Sequence, residues 1–172
     1  MATTGIPKAR LVAELKKLRD DPSDGVRCWP RDTHPNSDGA SFTFDQDGGF
    51  LLDVSMTGPA GTPYEGGVFQ LACRLPPNYP VAPPHVKFLT RVYHPNMDSD
   101  GRICIPVLKE GNEPDRWNPV KCNIRSALAQ IRQLLAEPNP HDPLDADAAR
   151  LLMENGAEFQ RKAKEYTKMY AT

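Results

Sequence analysis

Cys104 closes the run His94-Pro95-Asn96-Met97-Asp98-Ser99-Asp100-Gly101-Arg102-Ile103-Cys104, with Asn96 eight residues ahead of it in a proline-braced turn. The reactive form of a cysteine is its thiolate, and at an ordinary pKa near 8.5 a few per cent is ionised at pH 7. Thiol attack on a thioester therefore needs little activation. It needs an exposed sulfur and a donor for the oxyanion. The side-chain amide of Asn96 is such a donor, and losing one costs on the order of 10²–10³ in rate. The alternative for Asn96 is a turn residue that bonds nearby backbone. Pro95 fixes the backbone just before it, and His94 reads as a hydrogen-bonded structural histidine rather than a base. The pattern points to acyl transfer on a thiol held in a fixed place.

The elements that must hold this thiol follow from periodicity. Leu11, Leu15 and Leu18 recur on one face and predict a helix over 7–20, with Pro7 suited to the first helical position. Residues 26–29, 50–56, 67–75 and 86–89 read as strands joined by short turns, an antiparallel meander. A further short strand is expected at 41–44, within a loop rich in Asp, Asn, Ser and Gly. Residues 90–121 carry little periodicity, and loops this long are usually functional. Ile124, Leu128, Ile131 and Leu135 form the stripe of a helix over 123–136. Two more helices are expected at 145–154 and 156–170. Strands first and helices afterwards give an α+β fold, as a single domain over 1–172.

Bulk composition narrows the function. Lys and Arg number 21 against 22 Asp and Glu, for a net charge of −1. That balance argues against nucleic acid as the main partner. No stretch approaches the ~20 apolar residues of a membrane span, and residues 1–7 have no apolar core of a secretory signal. The expected location is cytoplasmic and/or nuclear, where Cys28, Cys73, Cys104 and Cys122 stay reduced. None of the four is spaced as CxxC, so neither a zinc site nor another metal or cofactor is expected. Prolines, 18 of 172 residues, run at about twice the usual ~5%. They cluster at 76–84, 95–119 and 138–143, as braces of ordered loops.

An ordered series of motifs resembles the ubiquitin-conjugating enzymes. It comprises Pro63-Tyr64-Glu65-Gly66-Gly67-Val68-Phe69, Tyr79-Pro80-Val81-Ala82-Pro83-Pro84, His94-Pro95-Asn96, Gly101-Arg102-Ile103-Cys104, Trp117-Asn118-Pro119 and Glu137-Pro138-Asn139-Pro140-His141-Asp142-Pro143-Leu144. The resemblance implies an N-terminal helix, a four-stranded antiparallel meander and three C-terminal helices. It implies that Cys104 carries ubiquitin, or a ubiquitin-like protein, as a thioester received from an ATP-dependent activating enzyme. The cargo then passes to a substrate lysine or to the cysteine of a ubiquitin ligase. By the same resemblance Asn96 stabilises the oxyanion or orders the active-site loop, and Asp142 helps place and deprotonate the incoming lysine. Lys8 and Arg10 match the face that docks the activating enzyme and overlaps the ligase site; Val81, Trp117 and Pro119 match the two loops that ligases grip.

Three departures stand out. Position 81 is Val where many members have Phe, which removes something like 1–2 kcal/mol of burial in a thioester-forming ligase. Pro106 stands where many lysine-reactive members have a polar or acidic residue, which favours a cysteine acceptor, whereas Asp142 favours a lysine. The stretch from Cys104 to Trp117 is longer than in the short form of the family, and residues 109–115, with three acids, resemble the acidic insertion beside the active site in some members, to be read as a solvated loop or as control of acceptor approach. The short N-terminus favours ubiquitin over a ubiquitin-like protein. A non-catalytic ubiquitin-binding variant is the competing reading, but such relatives usually lack the cysteine. A cysteine protease would need a base from His34, His85, His94 or His141, and no protease signature accompanies them.

Overall fold

Pro7 stands at the N-cap of helix α1, which runs from Lys8 to Asp20 with Leu11 and Leu18 buried. These observations come from a computed structural model that describes residues 5–33 and 43–172. Four strands follow: β1 (Val26–Pro30), β2 (Phe50–Thr57), β3 (Val68–Leu75) and β4 (His85–Phe88). They pair in the order β1-β2-β3-β4, every pair antiparallel. Strict alternation puts Phe50, Leu52, Val54 and Met56 of β2, and Phe69, Leu71, Cys73 and Leu75 of β3, on one buried face.

Helix α2 (Ile124–Ala136) turns its stripe toward the core, with Ile124, Leu128, Ile131 and Leu135 buried. Burying each such side chain contributes about 1.5–3 kcal/mol. Its start is fixed by a reciprocal cap: Asn123 Oδ1 accepts from the Ser126 amide at 2.9 Å, and Ser126 Oγ accepts from the Asn123 amide at 3.0 Å. Helices α3 (Ala146–Glu154) and α4 (Gly156–Tyr170) complete the fold. The four strands and four helices expected from periodicity are all present, with ends shifted by one residue at most. One element was not legible, a 3₁₀ turn over Pro106–Leu108 directly after Cys104. The strand expected at 41–44 lies partly outside the described residues, and within them Phe44 makes only an isolated bridge to Phe50.

Candidate active site

Cys104 is tied to Asn96 through the main chain, its amide donating to the Asn96 carbonyl at 2.8 Å. Between them the chain doubles back, with a bridge between Met97 and Ile103 and the Asp98 amide donating to Arg102 O at 3.2 Å. The Asp98 carboxylate closes the tip by accepting from the amides of Asp100 and Arg102 at 3.0 and 2.9 Å. Gly101 has a φ of 82°, and a Cβ there would overlap the Phe88 carbonyl, where this tip packs on β4. The eight-residue separation of Asn96 and Cys104 is therefore the span of one small hairpin.

Asn96 is 1% exposed and its side chain faces the segment 139–142. Its Nδ2 donates to the carbonyls of Asn139 (2.7 Å) and Asp142 (3.1 Å), and its Oδ1 accepts from the Asn139 amide (2.9 Å). Both amide hydrogens are thus engaged with backbone rather than free beside the sulfur. Pro95 holds the next stretch, its carbonyl accepting from the amides of Leu144 and Asp145 at 2.9 and 3.0 Å. His94 is fully buried; its Nδ1 accepts from the Asn96 amide at 3.0 Å and its Nε2–H donates to Leu134 O at 2.8 Å. That arrangement fixes the neutral imidazole with its proton on Nε2. Burial pushes its pKa down to about 4, against a smaller opposing effect of the Leu134 carbonyl.

The sulfur of Cys104 is half-buried between two charged side chains. Its thiol donates to Asp142 Oδ2 at 3.3 Å, and Lys109 Nζ donates to the sulfur at 3.3 Å. Lys109 Nζ also lies 3.7 Å from Asp142 Oδ2. The other thiols differ. Burial pushes the Cys73 thiol up to about 12 and raises Cys28 well above the ordinary range. Cys122 is partly exposed and its sulfur accepts from the Asn118 amide at 3.4 Å. The segment 109–115 is closed at its base, where the Trp117 amide donates to Lys109 O at 3.1 Å. Loop closure costs rise only slowly with length, so such an insertion is tolerated.

The expected docking face divides into exposed and inward-turned residues. Lys8 lies on the surface. Arg10 turns inward, donating from Nη1 to Pro119 O (2.6 Å), from Nη2 to Cys122 O (2.8 Å) and from Nε to Glu14 (2.7 Å). Glu14 also accepts from the Tyr79 hydroxyl (2.6 Å) and from the Ile124 amide (2.8 Å). Trp117 is only 5% exposed, and its Nε1–H donates to Pro80 O at 2.8 Å. Arg10 and Trp117 therefore brace the two loops from beneath. The surface itself is apolar: Val81 is 74% exposed and Val120 92% exposed, with Pro119 partly exposed beside Val120.

Comparison with known proteins decides the family. Residues 10–167 match the family described as ubiquitin-conjugating enzyme. The chain belongs to the ubiquitin-conjugating enzymes. It is 40% identical over 162 residues to ubiquitin-conjugating enzyme E2 N of Drosophila melanogaster, covering 94% of each chain. It is 41% identical over 165 residues to ubiquitin-conjugating enzyme E2 T of Bos taurus, covering 95% of this chain and 75% of that one. Among solved structures, the E2 domain of a Toxoplasma gondii ubiquitin conjugating enzyme superposes with a TM-score of 0.77 at 35% identity, covering 96% of this chain and all of that one.

Within this ubiquitin-conjugating enzyme the hairpin and the 139–142 segment bring Cys104, Asn96 and Asp142 together, with His94 and Pro95 supporting from behind. Sequence reasoning missed Lys109, Glu14 and Val120. For Lys109 the signal was a cation five residues after the cysteine, at the start of an insertion read only for its acids. Val120 carried a signal too, as an apolar residue in a polar, proline-marked loop.

Proposed function

We propose that Cys104 accepts ubiquitin from an ATP-dependent activating enzyme as a thioester and passes it on to a lysine amine. One observation carries this reading: the half-exposed Cys104 sulfur is 3.3 Å from an Asp142 carboxylate whose backbone is pinned by Asn96. Burial and a proton acceptor both favour the neutral form of an amine whose ordinary pKa is near 10.4. In transfer, the amine nitrogen attacks the thioester carbonyl and its proton goes to Asp142. The carbon–sulfur bond then breaks and Cys104 leaves as thiolate. Asp142 supports lysine as the acceptor over a ligase cysteine, since a thiolate acceptor needs no base. Asn96 acts chiefly by ordering the 139–142 segment, because both of its amide hydrogens are already engaged. Lys8, Val81, Pro119 and Val120 offer the surface for the activating enzyme and a ligase, over a brace of Arg10 and Trp117. The free thiols fit a reducing compartment, cytoplasm and/or nucleus.

The test is a loading panel. The protein is incubated with ATP and, separately, with the activating enzymes for ubiquitin and for ubiquitin-like proteins, then resolved without reductant. A reductant-sensitive adduct forms with ubiquitin and is lost in Cys104→Ala. Loading with a ubiquitin-like protein alone overturns the choice of cargo, and no adduct with any of them overturns the carrier role.

A further inference from the structure

Lys109 stands beside the place an incoming amine has to take. A lysine acceptor must bring its nitrogen within reach of the carbonyl bonded to Cys104 Sγ while giving its proton to Asp142. Lys109 Nζ lies beside that position, 3.3 Å from the sulfur and at an ion-pair distance of 3.7 Å from Asp142 Oδ2. Its placement is set by the fold. The 3₁₀ turn over Pro106–Leu108 ends at Lys109, whose amide donates to Pro106 O at 2.9 Å and whose carbonyl takes the Trp117 amide at 3.1 Å. The backbone of Lys109 is thereby fastened on both sides of the residue. Asp142 is the only carboxylate paired with Lys109 among the described residues.

We propose that Lys109 is a built-in occupant of the acceptor-amine position, pairing with Asp142 until a substrate lysine displaces it. The proposal rests on the carrier reading of Cys104 above. Two cations at one carboxylate beside the sulfur repel, so an arriving acceptor ammonium and the Lys109 pairing disfavour each other. The pair is a partly exposed one, with Lys109 at 39% and Asp142 at 70% side-chain exposure. Competition of that kind raises the acceptor concentration needed by about two- to fivefold, without altering the maximal rate. Lys109 is thus a specificity-determining residue. It discounts free and poorly positioned amines and leaves a lysine delivered at high local concentration, by a ligase or a bound substrate, almost unaffected.

The experiment starts from the purified ubiquitin thioester of the full chain and follows the free-lysine–ubiquitin product by mass across a range of free lysine. Failure to obtain the thioester would strike the carrier reading; everything after loading tests Lys109. In Lys109→Met the half-saturating lysine concentration falls about two- to fivefold at an unchanged maximal rate. Lys109→Arg, which keeps the pair with Asp142, stays close to the parent. In an Asp142→Asn background, the Met substitution confers no such fall, because the contested carboxylate is gone. An unchanged half-saturation in Lys109→Met overturns the proposal. So does a fall in maximal rate at constant half-saturation, which would make Lys109 a contributor to the chemistry.

Discussion

Replacing Asn96 by alanine slows transfer of ubiquitin from Cys104 to free lysine by about 10²-fold. The side chain makes three hydrogen bonds to the 139–142 segment from a position that is 1% exposed. Losing them leaves the Asn139 carbonyl and amide and the Asp142 carbonyl, on an otherwise exposed segment, without the side chain that ties them to the core. The segment relaxes to find other partners and carries Asp142 away from the sulfur. A displacement of about 1 Å at a reacting group is enough for a loss of about 10²-fold. Loading from the activating enzyme changes less. The main-chain bond from the Cys104 amide to the Asn96 carbonyl survives in alanine, so the sulfur keeps its place. The two roles of Asn96 separate in a double-mutant cycle. If it acts by ordering, Asp142→Ala costs little more once Asn96 is gone. If its amide binds the oxyanion directly, the two losses multiply.

The second large effect is on stability toward acid. His94 is fully buried as a neutral imidazole, with Nδ1 accepting from the Asn96 amide. Protonating it would set two donors against each other and place a charge in the core. Its pKa of about 4 in the folded chain lies below the ordinary 6.5 of the unfolded chain. The sign follows from linkage: the unfolded state binds the extra proton, so the stability is complete above about 6.5 and is lost as pH falls toward 4. Between pH 7 and 5 the loss is about 2 kcal/mol, and about 3 kcal/mol by pH 4. The Asp45 carboxyl, held to about 2 chiefly by its hydrogen bond from Arg74, adds its own decline only below the usual carboxylate range. Urea midpoints at pH 7 and pH 5 therefore isolate the histidine. The drop shrinks in His94→Gln; an equal drop in both proteins would contradict the assignment.

Much of this was legible because it is local. The α2 stripe at Ile124, Leu128, Ile131 and Leu135 repeats at the helical period, and the alternation in β2 and β3 repeats at two. The hairpin from Asn96 to Cys104 lies within one short run, so its motif announces its geometry. Asp142 was reachable only through the family resemblance, since it meets the sulfur across 38 residues of chain. The inward turn of Arg10 was not legible at all. Its partners at Pro119 and Cys122 lie 109 and 112 residues away, and an arginine on the polar side of α1 has no local mark of burial. Trp117 belongs with it: the resemblance placed it in a loop that ligases grip, while the indole is spent on Pro80 and the underside of that loop. Glu14 is a hub for the same reason, joining α1 to Tyr79 and to the start of α2.

The carrier role of Cys104 is tested most directly by Cys104→Ser loaded with ubiquitin. An oxygen in place of the sulfur turns a thioester into an ester. The variant should give an adduct that survives reductant and is cleaved by dilute alkali, while the parent adduct is cleaved by reductant. A reductant-sensitive adduct persisting in Cys104→Ser would contradict the account and would move the cargo to another sulfur, with the partly exposed Cys122 the first to examine.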